Sequence, residues 1–414
     1  MAPVQRKRGY VCVMEGALAA AAIGCALPAA AFEVAAGDWT LNISGNVNVH
    51  YIHADCEEET TPGVTGGLAC RGAAGEDRSS SIANGLLPAA LSIGASTTQN
   101  GYDIGFTFGF FPGIATNDGS PNLQQGAERL NTALGTTALD VRQVFMTFGN
   151  DRLGTFKLGR DLGLFGADAI LNDMTLPGVG GINTNNAAPA NTALGSIGLG
   201  YIYADWIGQI TYTTPDFNGF RFSIGIFDPL EPILQDVPTP EGQPGYHAKI
   251  SYTKEPFYLS ASFITQEHEG PTDAADFDSV GFDVGGKVTF GGDGNGEFMV
   301  WYYSGEGMGT TALYFLGDDG AGAERDSDGF LAQLTWKLGD TKVGVNYGRS
   351  DLDLAPGEAP SALVRRNEKV TLGAYHSLTR NLTLLAELTR VQSEAHDGIE
   401  NESTNFNIGA FLSF

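Results

Sequence analysis

The sequence predicts an all-β fold, a transmembrane antiparallel β-barrel of about 16 strands in which short turns alternate with long loops. Three observations on the 414-residue chain predict it. Apolar and polar residues alternate with a period of two along many segments. The connections between these segments alternate in length. Beyond the N-terminal region no apolar run reaches the roughly 18 residues of a membrane-spanning helix, yet 10% of the residues are aromatic.

The N-terminus has the order of a secretory signal peptide. Residues 5–8 are polar and basic, residues 11–27 are mostly apolar, and residues 29–31 are three alanines of the kind that precede a cleavage site. We therefore predict a signal peptide over residues 1–31 and a single β-barrel domain over residues 32–414.

The chain is strongly acidic, with a formal net charge of −25. Without the predicted leader it keeps 20 basic and 47 acidic residues, a net charge of −27. Nucleic acids select basic patches, so this balance predicts no nucleic-acid partner. Neither an H-E-x-x-H nor a G-x-S-x-G motif occurs. We predict no enzymatic activity, no cofactor and no metal site.

Alternation is clearest near the two ends of the predicted domain. Between residues 41 and 51, Leu, Ile, Val, Val and Tyr occupy one face, and Asn, Ser and His residues occupy the other. Residues 330–338 and 406–414 repeat the pattern, which indicates strands with one apolar face and one polar face. We predict sixteen strands, with centres near Val47, Ile93, Phe106, Phe145, Leu158, Ile207, Ile224, Ile250, Ser260, Val284, Val300, Leu334, Val345, Leu372, Leu385 and Ile408.

The connections predict that the two ends of the barrel differ. Short turns are expected near residues 99–101, 149–151, 215–219, 254–256, 339–341 and 378–381. Long loops are expected at residues 55–85, 112–139, 165–197, 228–243, 306–327 and 351–367. Aromatic residues near predicted strand ends are candidates for membrane-interface girdles, namely Trp39, Tyr51, Tyr102, Tyr201, Tyr203, Trp206, Tyr252, Tyr303 and Tyr375.

Two of the four cysteines remain after the predicted leader is removed, Cys56 and Cys70, which stand 14 residues apart in a polar segment. In the oxidising periplasm such a pair predicts a disulfide that staples a loop, and two free thiols are the alternative. The segment that ends at Cys25 leaves lipoprotein processing as an alternative to ordinary signal cleavage.

Four segments resemble the general porin family of Gram-negative bacteria. Residues 140–149 and 154–160 are similar to the family's fourth and fifth strands, an Arg-containing strand followed by a G-[TS]-x-x-x-G-R strand. Residues 171–178 resemble the third loop, which in the family folds into the barrel and narrows the channel. Residues 407–414 resemble the C-terminal signal of the barrel-assembly machinery, carried here by Asn407, Gly409, Leu412 and Phe414.

The resemblance implies a constriction with carboxylates on the inward loop opposite basic residues on the wall, where facing charges set a transverse field. Asp173 matches the loop carboxylate, and Asp168 is a second loop acid. Arg142 matches a wall arginine, and Lys157 has the parity to line the pore. Arg160 matches by motif, but its parity points toward the outside of the barrel. An ion pair that pins the loop to the wall is the structural alternative for Arg142 and Asp173.

We therefore expect an outer-membrane porin, a water-filled channel for passive diffusion of small hydrophilic solutes and ions. Residues 86–96 lack the wall arginine common in the family, and with the acidic balance this predicts weak cation selectivity. A substrate-specific channel for sugars, organic acids or aromatic acids is the alternative. The resemblance also implies a homotrimer latched by residues 112–139, and as partners outer-membrane lipid, lipopolysaccharide and the assembly machinery.

Overall fold

The computed structural model describes residues 32–56, 63–70, 77–114, 139–181, 192–231, 242–270, 272 and 275–414. The predicted signal peptide lies outside them, as does most of the predicted latching loop. Within them the chain forms eighteen strands and one short helix: β1 (Phe32–Ala36), β2 (Trp39–Cys56), β3 (Arg78–Ala83), β4 (Ala90–Gln99), β5 (Tyr102–Pro112), β6 (Leu139–Asn150), β7 (Gly154–Leu162), α1 (Ala167–Asn172), β8 (Trp206–Thr213), β9 (Phe220–Phe227), β10 (Gly245–Lys254), β11 (Phe257–His268), β12 (Phe277–Phe290), β13 (Gly296–Glu306), β14 (Asp326–Leu338), β15 (Thr341–Leu352), β16 (Val364–Ser377), β17 (Leu382–Ala395) and β18 (Glu400–Ser413).

Sixteen of these strands, β2 and β4 to β18, form a closed antiparallel ring. Each pairs with the next along the chain, β2 pairs with β4, and β18 pairs with β2 to close the barrel. Every predicted strand centre lies within one of the sixteen, so the predicted fold class is confirmed. Closure leaves the sixteen-stranded ring without a free end strand, which the apolar interior of a membrane requires.

The strands β1 and β3 were not predicted, and they follow from the length of β2. This strand has 18 residues, more than either neighbour covers. On one side β18 pairs with Asn46–Cys56 and β1 pairs with Trp39–Ile43. On the other side β4 pairs with Thr40–Asn46 and β3 pairs with His50–Asp55. The short strands thus satisfy backbone groups of β2 that would otherwise lack partners.

The wall has apolar side chains outside and polar side chains inside. Along β16, Val370 and Leu372 are exposed, whereas Asn367, Lys369 and Thr371 between and beside them are buried. This is the reverse of a water-soluble sheet, and it suits a lipid-facing outer surface. The girdle prediction is wrong for four aromatic residues. Tyr303 and Tyr375 point inward from the wall, and Tyr201 and Tyr203 lie inside the barrel in the connection between β7 and β8.

Short turns and long loops separate to opposite ends of the barrel, as predicted. One of the two-residue turns, between β4 and β5, places Asn100 and Gly101 at φ 52° and φ 83°, the left-handed pair that a type I′ hairpin turn requires. The connection from β17 to β18, residues 396–399, is short although it lies at the long-loop end.

Protein fills much of the lumen. The described part of the connection from β7 to β8, residues 163–181 and 192–205, folds inward as predicted for the third loop, and we call it the lumen loop. It packs with residues from the wall and from other long loops in a buried apolar cluster that includes Leu68, Ile170, Leu199, Trp301 and Leu331. Within the described residues no helix is long and apolar enough to span a membrane.

Candidate functional site

A cavity of about 350 Å³ separates the lumen loop from one side of the wall. The wall side is formed by inward residues of β6 to β11, and the other side by the lumen loop and by residues 86–88, which connect β3 to β4. The charged residues that line it are Arg142, Lys157, Arg160, Arg221, Lys249, Asp140, Asp161, Asp168 and Asp205.

Arg142 enters the cavity because of a β-bulge. The pairing of β5 with β6 shifts register between Gly109 and Phe110, so Gln143 and Val141 have direct partners and Arg142 is the extra residue. Bulges of this kind re-aim side chains, and Arg142 and Gln143 are both buried inside the barrel. The Arg142 guanidinium donates to Asp140 at 2.6 Å and lies 5.2 Å from the centre of the Phe111 ring.

Lys157 lines the cavity from β7, as its parity predicts. Its ammonium donates at 2.6 Å to Oδ2 of Asp161, which lies four residues further along the same face of β7. Gln143 on the neighbouring strand donates to the other oxygen of Asp161 at 3.0 Å. The arrangement holds a cation and an anion side by side on the wall.

Asp168 is the loop carboxylate that reaches the wall across the cavity. It lies in α1 and accepts a hydrogen bond from Ser260 on β11 at 2.6 Å. The ammonium of Lys249 on β10 lies 3.4 Å from its other oxygen. Sequence reasoning missed Lys249, although it stands on the polar face of β10 with His247, Ser251 and Thr253, and that parity could have identified it.

The structure does not place Asp173 opposite Arg142. Asp173 is buried, and it accepts hydrogen bonds from Thr175, from the Tyr201 hydroxyl at 2.9 Å and from Asn346 on β15 at 3.2 Å. Burial raises the pKa of Tyr201, which keeps its hydroxyl a donor. In the ring, β15 lies nearly opposite β6, so the expected pairing across a constriction is wrong because the loop turns Asp173 toward the far wall.

Arg160 has the outward backbone position that its parity predicts, and it also borders the cavity, as its motif predicts. Its strand neighbours are Val144 on β6 and Gly208 on β8, and Val144 is exposed on the outer surface, so the backbone parity is outward as predicted. The residue nevertheless borders the cavity near Asp205. Burial is the main cause that raises the pKa of the Asp205 carboxyl, and Arg160 and Arg142 oppose that rise.

Two buried charges on the far wall hold the lumen loop, and sequence reasoning missed both. Glu387 on β17 accepts backbone N–H groups from Val179 and Gly180, each at 2.9 Å. Lys369 on β16 donates to the carbonyl of Gly195 at 2.7 Å. Each stands at an inward position of an alternating strand, so a charge at that parity is the signal that could have identified them.

The other predicted residues lie at the ends of the ring. Cys56 and Cys70 form a disulfide that joins the end of β2 to residues 63–70, and Leu68 there donates its N–H to Asn367 and Ser393.

Within the C-terminal segment, Asn407 donates to Glu387, and Leu412 pairs with Val47 on β2. The backbone of Phe414 exchanges two hydrogen bonds with Gly45. At Gly409 a Cβ atom would collide with the ring of His50, so a glycine is needed there for packing. Among the described residues, no group of three His, Cys, Asp or Glu side chains could hold a metal ion.

Comparison with known proteins agrees with the geometry. A family model described as Gram-negative porin matches residues 17–396. The outer-membrane channel DcaP of Acinetobacter baumannii has a similar structure, with a TM-score of 0.66 and 14% identity over 93% of this chain and 100% of that chain. For the anion-selective porin from Comamonas acidovorans the values are 0.61 and 15%, over 91% and 100%. For OmpF of Salmonella typhi in complex with daunomycin they are 0.58 and 13%, over 92% and 100%. No curated protein sequence matches the chain.

Proposed function

The chain belongs to the Gram-negative porin family and forms a channel in the outer membrane, and on that premise we propose that small hydrophilic solutes and ions cross it by passive diffusion. The observation that carries the proposal is the cavity between the lumen loop and β6 to β11. Its wall carries five basic and two acidic side chains, which offer a moving polar solute hydrogen-bond partners in place of water. The expected channel is narrow, because the lumen loop occupies the rest of the cross-section.

We further propose that the pore is weakly cation-selective and that the long-loop end causes this preference. The cavity is nearly balanced, with five basic and four acidic lining residues. By contrast, the described connections at the long-loop end, apart from the lumen loop, carry eleven acidic residues and one basic residue, Arg325. A mouth of one charge sign concentrates counter-ions before they reach the narrow part.

Reversal potentials in a planar bilayer test both parts of this proposal. With KCl gradients centred near 0.1 M, the channel should favour K⁺, because the Debye length of about 10 Å lets the mouth act over its own width. Near 1 M the Debye length is about 3 Å, and the preference should fall toward zero. Failure to conduct would overturn the channel proposal, and anion preference at 0.1 M would overturn the selectivity proposal.

We propose a homotrimer as the assembly. The family resemblance is the basis of this proposal, and we expect the contact at the outer surface of β5 and β6, where Phe106, Phe108, Met146 and Phe148 lie. The mass of the particle in a mild detergent tests the proposal, and a single-subunit mass would contradict it. Lipopolysaccharide and the barrel-assembly machinery are proposed as partners from the family resemblance.

A further inference from the structure

The side of the cavity formed by the lumen loop and residues 86–88 is mostly apolar. Acidic residues line this side of the constriction in the predicted arrangement, but here Asp168 is held by Lys249 and Ser260. Thr192, Tyr203 and Asp205 also line this side, and most of the remaining surface is aliphatic. Its partly exposed side chains are Leu87, Leu164 and Leu171. A purely polar solute would lose hydration along this surface without compensation.

The opposite side, the wall, keeps hydrogen-bond donors that the described protein atoms do not use. Both oxygens of Asp161 are engaged, by Lys157 and Gln143, and both oxygens of Asp168 are engaged, by Lys249 and Ser260. An ammonium group has three donors. In the described part of the chain, Lys157 and Lys249 each donate one hydrogen bond to the protein. The wall side carries five basic and two acidic side chains, so it can accept an added anion more readily than an added cation.

The two lysines face the apolar surface from separate strands. Lys157 stands on β7 and Lys249 on β10, three strands away. Neighbouring strands are about 4.8 Å apart, so about 14 Å of wall separates the two backbones. An anion can thus meet one ammonium after the other while its body stays against the lumen loop.

From this geometry we propose that the cavity binds monovalent amphipathic anions, in which an aliphatic or aromatic body carries one carboxylate or sulfonate group. The inference rests on the proposed channel function and names the class of solute that the channel retains. The acid group contacts Lys157 and Lys249 in turn, and the body contacts Leu87, Leu164 and Leu171.

Block of the K⁺ current by a series of alkanesulfonates tests the proposal, since these anions stay charged at every usable pH. Burying one methylene completely is worth about a fourfold change in affinity, and half-burying it about twofold. The concentration for half-block should therefore fall at least about twofold per carbon from methanesulfonate to hexanesulfonate. Gluconate, a monovalent anion with a polar body, should not block. Equal half-block concentrations across the series, or equal block by gluconate, would overturn the proposal.

Charge-reversed probes and matched variants separate the two surfaces. Hexylammonium should block far more weakly than hexanesulfonate, and equal block would contradict an anion site. Lys157→Gln and Lys249→Gln should each raise the half-block concentration for hexanesulfonate, whereas Lys287→Gln should not. Lys287 also points inward but pairs with Glu297 away from the cavity.

The apolar surface has its own pair of variants. Leu171→Asn should flatten the dependence on chain length, and Leu171→Met should preserve it because methionine keeps an apolar side chain of similar volume. A chain-length dependence unchanged in Leu171→Asn, or a half-block concentration for hexanesulfonate unchanged in both lysine variants, would overturn the site. KCl conductance is recorded in every trace, so a wild-type channel that conducts without this dependence refutes this inference alone. A protein that conducts nothing refutes the channel function.

Discussion

Replacing Glu387 by alanine should release the lumen loop from the wall at one point. The carboxylate accepts four hydrogen bonds, from the N–H groups of Val179 and Gly180, from the Tyr375 hydroxyl and from Asn407, at 2.7–2.9 Å. It is buried inside the barrel. The two bonds from the loop are the ones that hold it in place.

The magnitude follows from those two bonds. A hydrogen bond to a charged group contributes about 1.5–3 kcal/mol, so the alanine variant should lose at least about 3 kcal/mol of local stability. Since about 1.4 kcal/mol corresponds to a factor of ten, local opening at Val179 and Gly180 should rise roughly 100-fold. Glu387→Gln keeps a neutral acceptor, whose bonds contribute about 1 kcal/mol each, and it should fall between wild type and alanine.

Amide hydrogen exchange of the peptide that spans residues 174–181 measures this opening in detergent. The matched control is Glu297→Ala, which removes an inward glutamate of the wall whose partner is Lys287 on β12. Faster exchange is expected in Glu387→Ala, with Glu297→Ala at the wild-type rate. Unchanged exchange in Glu387→Ala would refute the anchoring role, and so would equal acceleration in both variants.

Three further predictions concern other contacts. Asp173→Asn should lower the thermal unfolding temperature but leave the KCl reversal potential unchanged, because Asp173 is buried at the far wall. A shifted reversal potential would contradict this and indicate that Asp173 acts on the permeating ions. Arg325 donates to Glu358 at 2.6 and 2.8 Å and lowers the pKa of that carboxyl. The contribution to stability is complete above the ordinary glutamate pKa of about 4.3 and disappears as the pH falls through the lowered value. Proteolysis of this loop pair should therefore increase in acid, and Arg325→Gln should remove that pH dependence. Replacing Cys56 and Cys70 by serine should lower the free energy of unfolding by about 3 kcal/mol, the value for a closed loop of this size. Thermal denaturation of the wild type under oxidising and reducing conditions checks this contribution. Equal stability under the two conditions would contradict a stabilising disulfide.

The strands of the ring could be predicted because alternation is a local property of the chain. Each inward or outward position is decided by the strand's own residues once lipid lies on one side. The short strands β1 and β3 could not be predicted in this way. They exist because β2 is longer than its neighbours, which is a relation between strands distant in sequence.

The constriction was predictable only in part, for the same reason. Lys157 lines the cavity on a regular strand, and its parity was sufficient to place it. Arg142 reaches the cavity through a bulge that no alternation pattern shows. Asp168 and Asp173 lie in a loop without periodicity, where the direction of a side chain depends on the contacts that the folded loop makes. Asp168 meets Lys249, and Asp173 meets Asn346 on the opposite wall.

The lumen loop leaves the two halves of the wall with different freedom for redesign. Its contacts with β15 and β17 are tight, since a Cβ at Gly348 would overlap the carbonyl of Leu199 and one at Gly178 would overlap Glu387. Along β8 to β10, inward residues such as Thr211, Ser223 and Ser251 border the cavity. A new recognition group grafted onto the channel therefore belongs on those three strands, where a larger side chain displaces solvent and leaves the packed loop intact.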